Sequence, residues 1–251
     1  MEEFSKLVEL MATLRGDAGC PWDKKQTEQS FRTFLLEEVY ELIDAIETGD
    51  HGMMREELGD LLFHIVFICQ ICSEKGFFDI REVVASTCEK MRNRHPHIFA
   101  REASDKPIEA RWEEIKRSEK EDYSPLAGVP HILPALLRAY VVSKRASRVG
   151  FDWERVEDIF GKLDEEIKEL KEAEKSGNKQ DVEEEIGDLL FTAANIARFY
   201  GIDPETALRG TVDKFVRRFS YIEKHLDVAK SSQCDMEALW NEVKNKEKKG
   251  G

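Results

Sequence analysis

Residues that break helices are scarce in this chain. Glycine and proline number 15 and 7 among 251 residues, and most are gathered between segments with a 3.6-residue apolar period. No convincing run of period-two alternation is present, which excludes a β architecture and leaves an all-α protein. Positive charge is also short. The net charge of −13 leaves no basic stripe for a phosphodiester backbone, so no nucleic-acid partner is expected. The longest apolar run, Leu61 to Cys72, is interrupted by His64 and Gln70 and is too short to span a bilayer, so no membrane partner is expected either. Met1 to Arg15 is an amphipathic helix pattern with an acidic start, and it lacks the basic head and apolar core of a signal peptide. Five cysteines, an odd number, do not make a disulfide framework. Cys69 and Cys72 form a C-x-x-C inside an apolar helical pattern, where buried structural thiols are expected. These absences together place the protein in the cytoplasm.

What is present is a soluble globular composition, 41% hydrophobic and 35% charged. Helical patterns run through 2–15, 28–48, 52–75, 79–94, 105–121, 132–148, 155–176, 179–200, 204–227 and 235–248. Two prolines and a glycine crowd the stretch Tyr123 to His131, near the midpoint, and mark it as a linker between modules 1–122 and 132–251. The two halves repeat. Leu36-Glu-Glu-Val-Tyr-Glu-Leu42 returns as Asp164-Glu-Glu-Ile-Lys-Glu-Leu170, and Glu56-Glu-Leu-Gly-Asp-Leu-Leu-Phe63 returns as Glu184-Glu-Ile-Gly-Asp-Leu-Leu-Phe191, both at an offset of 128 residues. Lys90 and Arg94 return as Lys214 and Arg218 at an offset of 124. Gly19-Cys-Pro-Trp-Asp23 has a looser echo in Gly150-Phe-Asp-Trp153. The chain is a tandem duplication of one helical module.

The repeated blocks share a pattern of acids. Glu38 and Glu41, spaced i,i+3, lie about 60° apart on one flank of the apolar stripe Leu35, Val39, Leu42 and Ile46. Glu57 and Asp60 take the equivalent flank of the next helix. The second half repeats this phase with Glu166 and Glu169, then Glu185 and Asp188. A short connection makes each helix pair an antiparallel hairpin, so its two acidic edges can face each other. Four converging carboxylates repel strongly unless a cation sits between them. An all-oxygen donor set favours Mg²⁺ or Mn²⁺ over zinc, and Mg²⁺ commonly shares its coordination with substrate phosphates. The i,i+4 pairs Lys90–Arg94 and Lys214–Arg218 suit phosphate oxygens, and Lys162 could add a third cation in the second half only. A di-iron bundle would want Glu-x-x-His motifs; His64 stands four residues after Asp60 and has no counterpart in the second half.

Glu37-Glu38-x-x-Glu41 followed by Glu57-x-x-Asp60 resembles the MazG-type, all-α nucleoside triphosphate pyrophosphohydrolases. The resemblance extends through Gly19-Cys-Pro-Trp-Asp23, Arg92-Asn-Arg-His-Pro-His97 and Met236-Glu-Ala-Leu-Trp-Asn241, an order that looks like the two-module members of that family. It implies hydrolysis of NTPs and dNTPs to the monophosphate and pyrophosphate, with Mg²⁺, in a homodimer. Carried over by position, it implies metal ligands at Glu166, Glu169, Glu185 and Asp188, with Lys162, Lys214 and Arg218 on phosphates. It also implies Trp240 near the nucleotide and Asn195 as a polar contact to sugar or phosphate. Glu165, beside the ligands, is a candidate base. Glu38, Glu41, Glu57 and Asp60 are the first-module metal set, with Lys90 and Arg94 as its phosphate contacts.

The chain departs from this pattern in several places. Phe34 and Phe67 stand where the second half has Lys162 and Asn195, and the nearest tryptophan after Arg94 is Trp112, read as packing in a charged helix. Asp181, with Lys179 nearby, stands where a phosphate-binding lysine is expected. The second module is therefore expected to be the principal hydrolase, with the first a weaker site or a structural partner. Rival readings are a non-catalytic nucleotide sensor or protein-binding scaffold, and a narrow dUTP/dCTP-type or phosphoribosyl-ATP hydrolase.

Overall fold

Local chemistry sets the hairpin turns of the computed structural model, which describes residues 2–100, 111, 115, 117–118 and 123–249. Thr27 begins α2 (Glu28–Thr48) with a reciprocal capping box to Ser30, and Gly49 ends it in the left-handed region at φ 71°. Asp50 then accepts from Gly52 and Met53 N–H to start α3 (His51–Glu74). The same device recurs in the second half. Gly177, also at φ 71°, ends α7 (Val156–Ser176), and Asn178 caps the start of α8 (Lys179–Phe199). Glycine avoids the Cβ strain of that conformation, so both hairpins turn in two residues.

The chain divides into two units, Met1–Asp105 and Lys106–Gly251. In the first, α1 (Glu2–Arg15) packs on α3, the α2–α3 hairpin forms the body, and α4 (Ile80–Arg94) and a short α5 (Pro96–Phe99) follow. Its core gathers Met11, Phe31, Val66, Phe67 and Ile71. In the second, the α7–α8 hairpin is covered by α6 (Ala135–Ser147), α9 (Pro204–His225) packs on α6 and α8, and α10 (Gln233–Lys249) packs on α9.

The all-α, duplicated architecture is the one expected. Boundaries move by a few residues, as with α6, which waits for Pro134 to pass before starting at Ala135. The short α5 was not expected; Pro96 at its first turn sets a helical φ directly after α4 has ended. The helix expected over 105–121 falls outside the described residues apart from four positions, and Trp112 is not among them. The segment 123–131, expected as a linker, falls within the second unit: Val129 is buried and Arg145 donates to the Ala127 carbonyl at 2.9 Å. Cys69 and Cys72 are buried free thiols, pushed up in pKa by burial. Among the described residues no helix is long and apolar enough to cross a membrane.

Candidate active site

In the second unit, the i,i+3 spacing on α7 and α8 aims acids into the hairpin groove. Ligand atoms of Glu166, Glu185 and Asp188 all lie within 4.8 Å of one another. Glu169, the fourth expected ligand, is outside that cluster, although its charge still acts on Glu185. Glu166 is only 3% exposed. Burial, then the charges of Glu169, Glu166 and Asp188, push the Glu185 carboxyl above its ordinary range. Its Oε2 is buried with no hydrogen-bond partner. Converging hard oxygen donors, one of them orphaned, fit a divalent cation of the Mg²⁺ or Mn²⁺ type.

A cavity of about 670 Å³ opens directly off these acids, and Glu166 and Asp188 line both. That size is within the range of small-molecule sites. Its walls are largely apolar, with Leu126, Val142, Ile159 and Phe191, and Lys162, Asn195 and Arg198 supply polar groups. Lys162 bridges Glu165 at 2.7 Å and Glu166 at 2.9 Å, which raises its pKa and keeps it charged at the cavity entrance to the acids. Glu165, the candidate base, is exposed, held by Lys162 and outside the acid cluster. Asn195 is buried, donating to the Phe191 carbonyl at 3.2 Å and accepting from Arg198 at 3.4 Å.

The structure does not bring the remaining expected nucleotide contacts into this cavity. Arg218 is ion-paired with Glu247 at 2.7 Å and lies over the Trp240 ring at 5.4 Å, and Trp240 packs against Phe215. Lys214 is half-exposed on α9 and does not line the cavity. Arg218 and Arg217 hold the Glu247 carboxyl below its usual range. Asp181 serves as local structure, accepting from Asn178 Nδ2 at 2.7 Å beside the α8 cap.

Sequence reasoning missed Asp152, Trp153 and Arg198, which line the cavity. Arg198 forks onto both carboxylate oxygens of Asp152, from Nη1 at 3.0 Å and from Nη2. Burial pushes the Asp152 carboxyl up, but bonds from Arg198 and the Trp153 N–H outweigh it and hold the group low. The signal available was Arg198 in place of Gln70 at the 128-residue offset.

The first unit builds the acids against packed rings. Glu38, Glu41 and Glu57 converge within 4.8 Å, and Asp60, the fourth expected ligand, is outside that cluster, its charge acting on Glu38 and Glu57. Burial first, then the neighbouring carboxylates, raise Glu38 and Glu57. The adjoining space is filled with rings. Phe31 stacks on Phe67 at 4.2 Å, meets the His64 edge at 5.2 Å, and contacts Phe34 at 5.8 Å. Burial lowers the His64 pKa, which disfavours the charged imidazolium in this stack. At the same offset, Ile159, Lys162, Thr192 and Asn195 replace Phe31, Phe34, His64 and Phe67, and the stack is gone. Lys90 is exposed on α4, with Arg94 in its last turn.

Raised carboxyl pKa values make stability pH-dependent in a definite direction. The folded, cation-free protein binds more protons at Glu38, Glu57 and Glu185 than the unfolded chain does, so these groups cost stability as pH rises above their ordinary value of 4.5. A cation must displace those protons and then relieves the repulsion. The Tm gain from added Mg²⁺ over EDTA is therefore expected to be larger at about pH 8 than at about pH 5. Calorimetry at the two pH values checks this, and an equal gain at both contradicts it.

Fold and site together define a duplicated all-α module with a convergent carboxylate cluster, one copy of which opens onto a cavity. Residues 26–99 and 154–222 match the MazG nucleotide pyrophosphohydrolase domain. Among similar proteins, a Thermotoga maritima nucleoside triphosphate pyrophosphohydrolase/pyrophosphatase MazG is 44% identical over 89% of this chain and 87% of its own length. An Escherichia coli K12 nucleoside triphosphate pyrophosphohydrolase is 40% identical over 98% of this chain and 99% of its own. The chain belongs to the MazG nucleotide pyrophosphohydrolase family.

Proposed function

We propose that the second module hydrolyses nucleoside and deoxynucleoside triphosphates to the monophosphate and pyrophosphate, dependent on Mg²⁺, with Mn²⁺ as a substitute. The observation that carries this reading is continuity: Glu166 and Asp188 belong both to the acid cluster and to the wall of a ligand-sized cavity. Triphosphate at the acids and nucleoside in the cavity is the arrangement that such a shape accommodates. In this reading Glu166, Glu185 and Asp188 hold the cation, with Glu169 available to complete the set. When bound, the cation supplies charge neutralisation at the phosphoryl oxygens and lowers the pKa of the attacking water.

The chain's own groups do the rest. Lys162, charged beside Glu166, neutralises phosphate oxygens at the junction of cluster and cavity. Glu165 is held by Lys162 through Oε1, and a phosphate arriving at that ammonium would compete with this pairing. Lys214 and Arg218 serve the departing pyrophosphate, and Arg218 must first exchange Glu247 for phosphate oxygens. Ile159, Phe191 and Val142 give the cavity an apolar wall against which the nucleoside can be oriented.

The wider proposal is control of the nucleotide pool in the cytoplasm by a homodimer. The apolar, exposed side chains Ile186, Leu190, Val212, Phe215 and Val216 on α8 and α9 support association, because such surface is costly to leave in water. Pure protein incubated with each NTP and dNTP plus Mg²⁺ is expected to release pyrophosphate and not orthophosphate. Absence of pyrophosphate with every substrate would sink the hydrolase reading, and turnover of dUTP alone would replace it with the narrow one.

A further inference from the structure

The loop before α7 carries a tryptophan in a setting that its first-module counterpart does not share. Trp22, in the echoed loop Gly19 to Asp23, packs its ring against Phe34 at 6.1 Å. Trp153 stands at the matching place in Gly150-Phe-Asp-Trp153, but the partner position holds Lys162, and Trp153 meets no aromatic ring among the described residues. Its indole instead lines the cavity and is 42% exposed. Trp22 is as exposed, at 54%, so exposure does not set the two rings apart; what does is that Trp153 lines a ligand-sized cavity and, among the described residues, has no phenylalanine against it.

The loop that presents this ring is tied down. Gly150 turns at φ 89°, a conformation that side-chain-bearing residues rarely adopt. Two residues on, Asp152 takes the bidentate Arg198 fork and the Trp153 N–H at 2.8 Å. Arg198 also holds the Asn195 amide, so one guanidinium orients both the loop and the polar group on the cavity wall. Asn195 is two turns of α8 beyond Asp188, about 10 Å from the acids at 1.5 Å per residue, which suits a nucleoside whose phosphates sit on the cation.

We propose that Trp153 is the nucleobase-stacking residue of the cavity, and that Asp152 and Arg198 are its positioning residues. Stacking on an indole discriminates weakly among bases, so the pocket accepts purine and pyrimidine triphosphates alike. Trp240, held between Phe215 and Arg218 outside the cavity, does not take this role. The inference rests on the proposed nucleotide occupancy of the cavity.

Steady-state kinetics of pyrophosphate release and tryptophan fluorescence test it together. Trp153→Ala is expected to raise KM for dATP and dTTP by about tenfold or more while kcat stays within about threefold, and Trp153→Phe to recover most of the loss. Asp152→Asn is expected to raise KM in the same direction, since the ring is then untethered. A single-tryptophan protein keeping Trp153 (W22F, W112F, W240F) is expected to be quenched by the α,β-imido analogue of dATP with Mg²⁺. Inorganic tripolyphosphate, which has no base, should leave its fluorescence unchanged. Unchanged KM in Trp153→Ala, or quenching only in a protein keeping Trp240 alone, would overturn the inference and leave the hydrolase reading standing. If the wild type releases no pyrophosphate, that reading fails, and the quench still decides whether a base meets Trp153.

Discussion

Glu185→Gln is expected to lower kcat for pyrophosphate release by about a hundredfold or more, and in EDTA at neutral pH to raise Tm. The two effects have opposite signs because one carboxylate does two opposed things. In the cation-free fold, Glu185 carries a charge that burial and four neighbouring acids penalise, and its Oε2 has no donor. Neutralising it removes that penalty and leaves an amide that can donate to Glu166 or Asp188. In the proposed reaction the same group holds the cation, and removing even an outer-shell partner of a metal site typically costs 10- to 100-fold in affinity or activity. The sign of the stability effect follows from linkage: a raised folded pKa means that ionisation above it opposes folding, so the gain grows with pH. Glu57→Gln in the first module should reproduce the Tm gain, since Glu57 is raised for the same reasons, at far smaller cost to turnover. A large loss of turnover on Glu57→Gln and none on Glu185→Gln would put the hydrolase in the other half. A Tm in EDTA that falls in both variants would show that the acids do not repel in the free fold.

Much of this was legible in sequence, and for identifiable reasons. Helices and hairpins were, because apolar period and the turn pairs Gly49-Asp50 and Gly177-Asn178 are local signals. The acid edges were too, since i,i+3 spacing fixes which flank a carboxylate shares. Spacing does not choose rotamers, however, so three acids of each four converge, and the one left out differs between halves, Asp60 in the first and Glu169 in the second. The replacements Phe34 by Lys162 and Phe67 by Asn195 hinted at a pocket, whereas Ile159 and Thr192, at Phe31 and His64, passed unnoticed though the same offset reveals them. Long-range pairings left no local trace. Asp152 meets Arg198 across 46 residues, and Arg218 meets Glu247 across 29, which is why the cavity's tether and the pairing that Arg218 must exchange were missed.

The difference between the modules reduces to whether rings or space adjoin the acids, and that can be transplanted. Asn195→Phe puts into the second module the residue that closes the first. The cavity of about 670 Å³ has room for the ring, so the strain that usually follows enlarging a core side chain, about 1–3 kcal/mol, should be largely absent. The cost is the lost amide bonds to the Phe191 carbonyl and Arg198, about 0.5–1.5 kcal/mol each, offset by newly buried apolar surface. The expected protein is folded, with Tm near wild type and its Mg²⁺-induced rise intact, yet with no Tm shift from nucleotide and pyrophosphate release below about 1% of wild type. The reverse exchange is not symmetrical. Phe67 is fully buried and stacked on Phe31, so Phe67→Asn removes a core ring and buries an amide, and truncations of buried phenylalanine alone cost about 3–5 kcal/mol. The first module should therefore lose stability without gaining turnover, because its ring stack is the core itself. Should Asn195→Phe keep wild-type KM and kcat, the nucleoside does not enter this cavity, and the distinction between the modules must lie elsewhere than in their packing.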